Sequence, residues 1–185
     1  MPISAPYYRT CAQVYAQRWA LGRNPLFLDF SQLGGDCTNF ISQCLYAGSC
    51  LMDYRDSGWY YRSPEDRAPA WTAVEFLYQY LVRQEQSPGP FARQVAAGGL
   101  ELGDVIQLGD AGGRFYHSLL VTGFLPGQYL VCAHTDNARN RPLLSYRFAR
   151  ARFLHIEGVW RENAENSQGK CPSCFCKLYN GESLI

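Results

Sequence analysis

The residues best placed to do chemistry lie in Gly34-Gly35-Asp36-Cys37-Thr38-Asn39-Phe40-Ile41-Ser42-Gln43-Cys44-Leu45. Gly34 and Gly35 let the backbone turn sharply, and Asp36 is a favoured N-cap residue. Phe40, Ile41, Cys44 and Leu45 then recur at helical spacing, with Gly48 as the expected stop. The pattern predicts a short helix over about 36–47 with Cys37 on its first turn. There the helix dipole favours thiolate and is expected to lower the pKa from its free value of about 8.5. A cysteine in an apolar helix is also a common small core residue, so a nucleophile reading needs a partner base. The candidates are His117, His134 and His155, the three histidines of the chain.

The base must be carried by other elements. Residues 8–21 read as a first helix closed by Gly22 and Asn24-Pro25, and 71–83 as a third, with Trp71, Val74, Leu77, Tyr78 and Leu81 on one stripe. Between them, the loop 49–70 carries Trp59-Tyr60-Tyr61, aromatics able to line a groove, and 87–90 is a further loop. The period then changes to that of strands over 105–108, 115–124, 128–135 and 146–160. Helices first and an antiparallel sheet afterwards predict an α+β fold. If Leu125-Pro126-Gly127 is a hairpin turn, paired positions sum to 253 and place His117 opposite Asp136, with Thr135 or Asn137 one register step away. His134 and Asp136 would share a strand face, so either could orient His117. Cysteine at a helix start, histidine on a strand and a polar third group are the parts of nucleophilic acyl transfer.

With 185 residues, 47% of them hydrophobic, the chain is long enough for one domain with a sizeable core. A net charge of +1 argues against nucleic acid as the partner, although Arg139, Arg141, Arg147, Arg150 and Arg152 fall in a stretch without acids. No run reaches the roughly 18 apolar residues of a membrane span, and the N-terminus lacks the pattern of a signal peptide. The chain therefore reads as soluble and unprocessed, and its eight cysteines, five dispersed and three clustered at Cys171, Cys174 and Cys176, as those of a protein in a reducing compartment rather than a disulfide scaffold.

The chain resembles the putative amidase domain family of bacterial proteins, and through it the NlpC/P60 and CHAP branches of the papain-like superfamily. The resemblance rests on the opening helix at Tyr8–Ala20, Asn24-Pro25, the Gly35–Phe40 and Ser42–Leu45 segments, Trp59, Trp71, Gly103-Asp104-Val105, the His117 strand, and His134-Thr135-Asp136 with Asn140-Arg141-Pro142-Leu143. It implies a papain-like fold over residues 1–160 and a cysteine amidase or peptidase acting on a peptidoglycan-like amide. Cys37 matches the nucleophile and His117 the base. By analogy with the third-position histidine of NlpC/P60 enzymes, His134 is the preferred orienter and Asp136 the second. Asp36, Asn39 and Trp59 are the expected substrate-binding residues, and the backbone N–H of Cys37 an oxyanion donor.

This chemistry requires no metal or other cofactor, and no membrane partner is implied. A zinc site of Cys37, His117 and His134 is a competing arrangement of suitable ligand types. Residues 161–185 read as a separate flexible tail whose Cys171, Cys174 and Cys176 could hold metal or cycle a disulfide. Two further functions stay open: a wall-peptide or protein-binding domain without turnover, and a thiol or zinc module built on the tail.

Overall fold

The computed structural model describes residues 1–162 and 174–182. In chain order the elements are β1 (Ile3–Ala5), α1 (Arg9–Trp19), α2 (Cys37–Ser49), α3 (Pro69–Thr72), α4 (Val74–Leu81), β2 (Gly89–Val95), β3 (Val105–Gly109), β4 (Phe115–Leu125), β5 (Gln128–Ala133), β6 (Ala138–Pro142), a 3₁₀ turn (Leu143–Ser145), β7 (Arg150–Arg161) and α5 (Cys174–Asn180). The expected α+β class is observed, with an antiparallel sheet ordered β1-β7-β3-β4-β5-β6. The long β7 carries β2 on its other edge. Sequence patterning missed β1, β2 and β6, which are short or polar edge strands without a strong period-two signal.

Alternation along the strands divides the core. Val105, Leu120, Cys132, Leu154 and Ile156 face the helices, while Ile106, Leu108, Leu119, Val121 and Val131 pack beneath Leu143, Tyr146 and Phe148 on the opposite face. The central helix is α2, buried at nearly every position from Cys37 to Ser49. Gly48 does not end it. A Cβ there would sit 2.3 Å from Tyr7 Cε2, so glycine lets the helix press against that ring, and α2 ends at Cys50 in the left-handed conformation (φ 49°). The predicted third helix is two, because Ala73 is extended (φ −115°, ψ 131°) between α3 and α4.

Cys50 and Cys174 form a disulfide across 124 residues of sequence, with Cα atoms 5.9 Å apart. Cys11 is disulfide-bonded as well. The expectation of reduced, unpaired cysteines is therefore corrected: residues too dispersed to suggest a scaffold become neighbours when α5 docks beside the end of α2. Over Cys174–Asn180 the predicted tail is part of the domain, since Leu178 is fully buried in the core and its carbonyl accepts a 2.9 Å bond from Asn24 Nδ2. Cys171 and residues 163–170 lie outside the described residues. No described helix is long and apolar enough to cross a membrane. Because the disulfide closes a long loop, Cys174→Ser is expected to lower unfolding free energy by about 2–4 kcal/mol, measured by chemical denaturation under non-reducing conditions. Equal stability of the variant and the parent would show that the bridge adds nothing to the docked helix.

Candidate active site

Gly34 (φ 111°) and Gly35 (φ 119°) make the turn that delivers Cys37 to the first position of α2. Asp36 occupies the N-cap position, yet its side chain makes no capping bond. It is fully buried and turned inward, where Oδ1 accepts from the Phe30 N–H (3.0 Å) and Asn39 Nδ2 (2.8 Å). Its Oδ2 lies 2.6 Å from His134 Nδ1 and 3.2 Å from Arg23 Nε. The Asp36 N–H in turn donates to Thr135 Oγ1 at 3.0 Å.

Cys37 Sγ lies 3.8 Å from Thr38 Oγ1 and 4.0 Å from the Tyr116 carbonyl, and the Ser118 N–H points toward it. The thiol thus rests on β4 at the residues flanking His117. Burial pushes the Cys37 pKa above its ordinary value of 9.0, outweighing the hydrogen bonds from Ser118 and Thr38. This corrects the expected thiolate. The helix dipole is worth ~1 kcal/mol, whereas enclosing an anion away from water costs more.

His117 reaches the same pocket through a bulge. The β3–β4 register pairs Leu108 with His117 and Gly109 with Phe115, leaving Tyr116 as the extra residue. A bulge bends the strand and re-aims its side chains, and here both Tyr116 and His117 line a pocket of about 430 Å³ with Cys37, Asp136, Arg141, Tyr146 and Arg147. Neither His117 nitrogen makes a hydrogen bond among the described residues. Burial lowers its pKa from 6.5 to about 4, with Asp136 pulling it up and Arg141 pushing it down. At neutral pH the pocket therefore holds a neutral thiol and a neutral imidazole, not an ion pair.

The other histidines are spoken for. His155 Nδ1 pairs with buried Asp104 at 2.8 Å. His134 cannot orient His117, because Nδ1 is held by Asp36 and its Nε2–H donates to the Trp19 carbonyl at 2.9 Å, while the ring stacks on Phe40 at 3.8 Å. The same occupancy excludes it from a zinc site with Cys37 and His117, and Cys174, being in a disulfide, is no thiolate ligand. Register explains the error. Pairs sum to 253 from Leu125–Gln128 to Gly123–Leu130, then slip by one at Val121–Val131, and β5 ends at Ala133. Residues 134–137 form a turn, with Thr135 at φ 81°, so alternation no longer holds and His134 and Asp136 part: one enters the core, the other reaches the pocket.

The three expected substrate contacts are structural. Asp36 is saturated as described. Asn39 donates to Leu28 O and Asp36, and accepts from Trp71 Nε1 at 2.9 Å. Trp59 is fully buried, donates to Ser42 Oγ at 3.0 Å and packs 4.9 Å from Trp71. Tyr116, Arg141, Tyr146 and Arg147 are pocket residues that sequence reasoning did not assign to the site; the acid-free arginine stretch contains Arg141 and Arg147, and the Asn140-Arg141-Pro142-Leu143 motif contains Arg141 as well.

A family model described as a putative amidase domain matches residues 6–156. The chain belongs to that family. It is similar to the "Uncharacterized protein YhbB" of Bacillus subtilis (strain 168), with 36% identity over 140 residues. That match covers 73% of this chain and 43% of the relative, so the chain spans less than half of that protein's length. No solved structure matches it. The matched range contains Cys37, His117, Asp136 and Arg141, and excludes α5.

The two histidine environments make a direct comparison possible. His134→Phe is expected to cost about 3 kcal/mol or more in unfolding free energy, because it removes a partner of the buried Asp36 Oδ2 and the donor to the Trp19 carbonyl. Asp136→Ala, at an exposed turn, is expected to stay within about 0.5 kcal/mol of the parent. Reversal of that order in urea titrations would contradict the roles assigned here.

Proposed function

We propose that this amidase-family protein is a cysteine amidase, cleaving a peptide amide through a thioester on Cys37, with cell-wall peptidoglycan as the substrate class. The observation that carries this reading is one pocket lined both by the thiol at the head of α2 and by His117, whose two nitrogens make no hydrogen bond among the described residues. A neutral base suits the first step. His117 takes the Cys37 proton as sulfur attacks the amide carbonyl, and the Cys37 N–H at the helix N-terminus receives the developing oxyanion. Collapse breaks the C–N bond, and the imidazolium returns its proton to the leaving amine. Water, deprotonated by His117, then hydrolyses the thioester to a carboxylic acid and regenerates the thiol. Asp136 takes the third role in place of His134, since its charge favours the imidazolium formed in each step.

The order of helix cysteine, strand histidine and polar third residue, the last in the turn between two strands of an antiparallel sheet, is the support for a papain-like, NlpC/P60-type relationship. Disulfide bonding at Cys11, Cys50 and Cys174 supports work in an oxidising compartment, where a cell wall is found. A binding domain without turnover is the second reading, favoured by the burial of Cys37 and its lack of a hydrogen bond to His117.

The two readings separate on incubation with isolated wall fragments. New amine and carboxyl ends are expected by mass spectrometry with the parent protein and none with Cys37→Ala; unchanged fragments with both would remove peptidoglycan as the substrate. The acid limb of kcat/KM is expected near pH 4, because activity needs neutral His117 and is lost as pH falls through its pKa. Asp136→Asn should move that limb to lower pH, since the carboxylate raises the His117 pKa. A limb near 6.5 in both proteins would show that His117 is not the base.

A further inference from the structure

Resting on the cysteine amidase reading, we infer that Arg141, with Arg147 beside it, is a subsite for a single carboxylate carried by the substrate near the scissile amide. Arg141 is held ready for this. Its Nε donates to Ser145 Oγ at 2.8 Å, its Nη2 to the Ser145 carbonyl at 3.2 Å, and its guanidinium stacks 4.0 Å over the Tyr146 ring. Ser145 Oγ is itself tied to the Pro142 carbonyl at 2.7 Å. These contacts fix the plane of the fork and leave Nη1 without a hydrogen bond among the described residues. Preorganised guanidinium forks suit carboxylates because little side-chain entropy remains to be lost.

Charge and position together separate this arginine from the others, because Arg18, Arg67, Arg83, Arg114, Arg139 and Arg150 also lack a carboxylate partner among the described residues but lie outside the Cys37 pocket. Arg9, Arg23, Arg55, Arg62, Arg93 and Arg152 all have carboxylate partners. Arg141 and Arg147 have none within ion-pair distance among the described residues, yet both line the Cys37 pocket. Asp136 is the sole acid in that lining, so two cations face one anion and the excess is one positive charge. That balance fits a monoanion and disfavours a phosphate dianion, which Asp136 would repel. Occupancy also has a chemical consequence. Arg141 depresses the basicity of His117, and a carboxylate bound to it cancels that field. The correct substrate would thereby strengthen the base that acts on it.

Two alkylating probes test the inference without knowledge of the natural substrate: iodoacetate, which carries a carboxylate, and iodoacetamide, its neutral counterpart. Both form the S–C bond to Cys37 and expel iodide. Rates are read at Cys37 by peptide mass spectrometry at fixed ionic strength, with exposed Cys176 as the reference thiol in the same sample. The iodoacetate-to-iodoacetamide rate ratio is expected to be about tenfold or more higher at Cys37 than at Cys176, the size of one charge-assisted hydrogen bond. That advantage should saturate with iodoacetate, weaken with added acetate, disappear in Arg141→Gln and fall in Arg147→Gln. Arg139→Gln, which alters an arginine outside this pocket, should keep it. Equal ratios at Cys37 and Cys176, or a ratio indifferent to Arg141→Gln, would overturn the subsite while leaving the nucleophile intact. Failure of Cys37 to react with either probe would instead overturn the amidase reading beneath it.

Discussion

The architecture of the site depends on one buried carboxylate. Asp36 has no access to water, and an unpaired charge in that setting would cost several kcal/mol. It accepts hydrogen bonds from the Phe30 amide and Asn39 and pairs with His134 and Arg23, groups drawn from the loop between α1 and α2, from α2 itself and from the β5–β6 turn. Each of those elements is held where its donor can reach Asp36, and Cys37 is the next residue. His134 extends the network to the Trp19 carbonyl, so α1 and α2 are tied through the same ring. The orientation of the candidate nucleophile is thus set from behind, by groups that face away from the pocket.

Burial also decides the protonation state of the pocket. The helix N-terminus and the Ser118 amide favour a thiolate at Cys37, but exclusion from water acts in the opposite direction and prevails. The same exclusion makes His117 a weak base in the empty pocket. Asp136 pulls the His117 pKa up and Arg141 pushes it down, so the two charges that line the pocket act on the imidazole in opposite directions.

Support for α2 is asymmetric. Its N-terminus is held by the Asp36 network and its C-terminus by the close Tyr7–Gly48 contact and the Cys50–Cys174 bridge. The left-handed Cys50 both ends the helix and presents its sulfur to α5. A helix clamped at both ends and buried along its length is a rigid base for the candidate nucleophile at its head.

Much of this was legible from local pattern. The glycine turn before Cys37, the helix after it, the strands bearing His117 and the α+β class all follow from spacing and turn chemistry that act over a few residues. The amidase resemblance, too, is carried by residues that can be read in order along the chain. The assignments that failed depend on three-dimensional partners. Period-two alternation put His134 and Asp136 on one face, but a bulge in the hairpin and the positive φ of Thr135 send one inward and the other to the pocket. Asp36, Asn39 and Trp59 have the right chemistry for substrate contacts and are consumed by internal hydrogen bonds. The Cys50–Cys174 pairing was hidden for the same reason. Sequence by itself determined which groups can react and which elements carry them, because those properties are local. The tertiary structure decided which groups are free to react and how strongly, because desolvation and hydrogen-bond saturation arise only when distant segments meet.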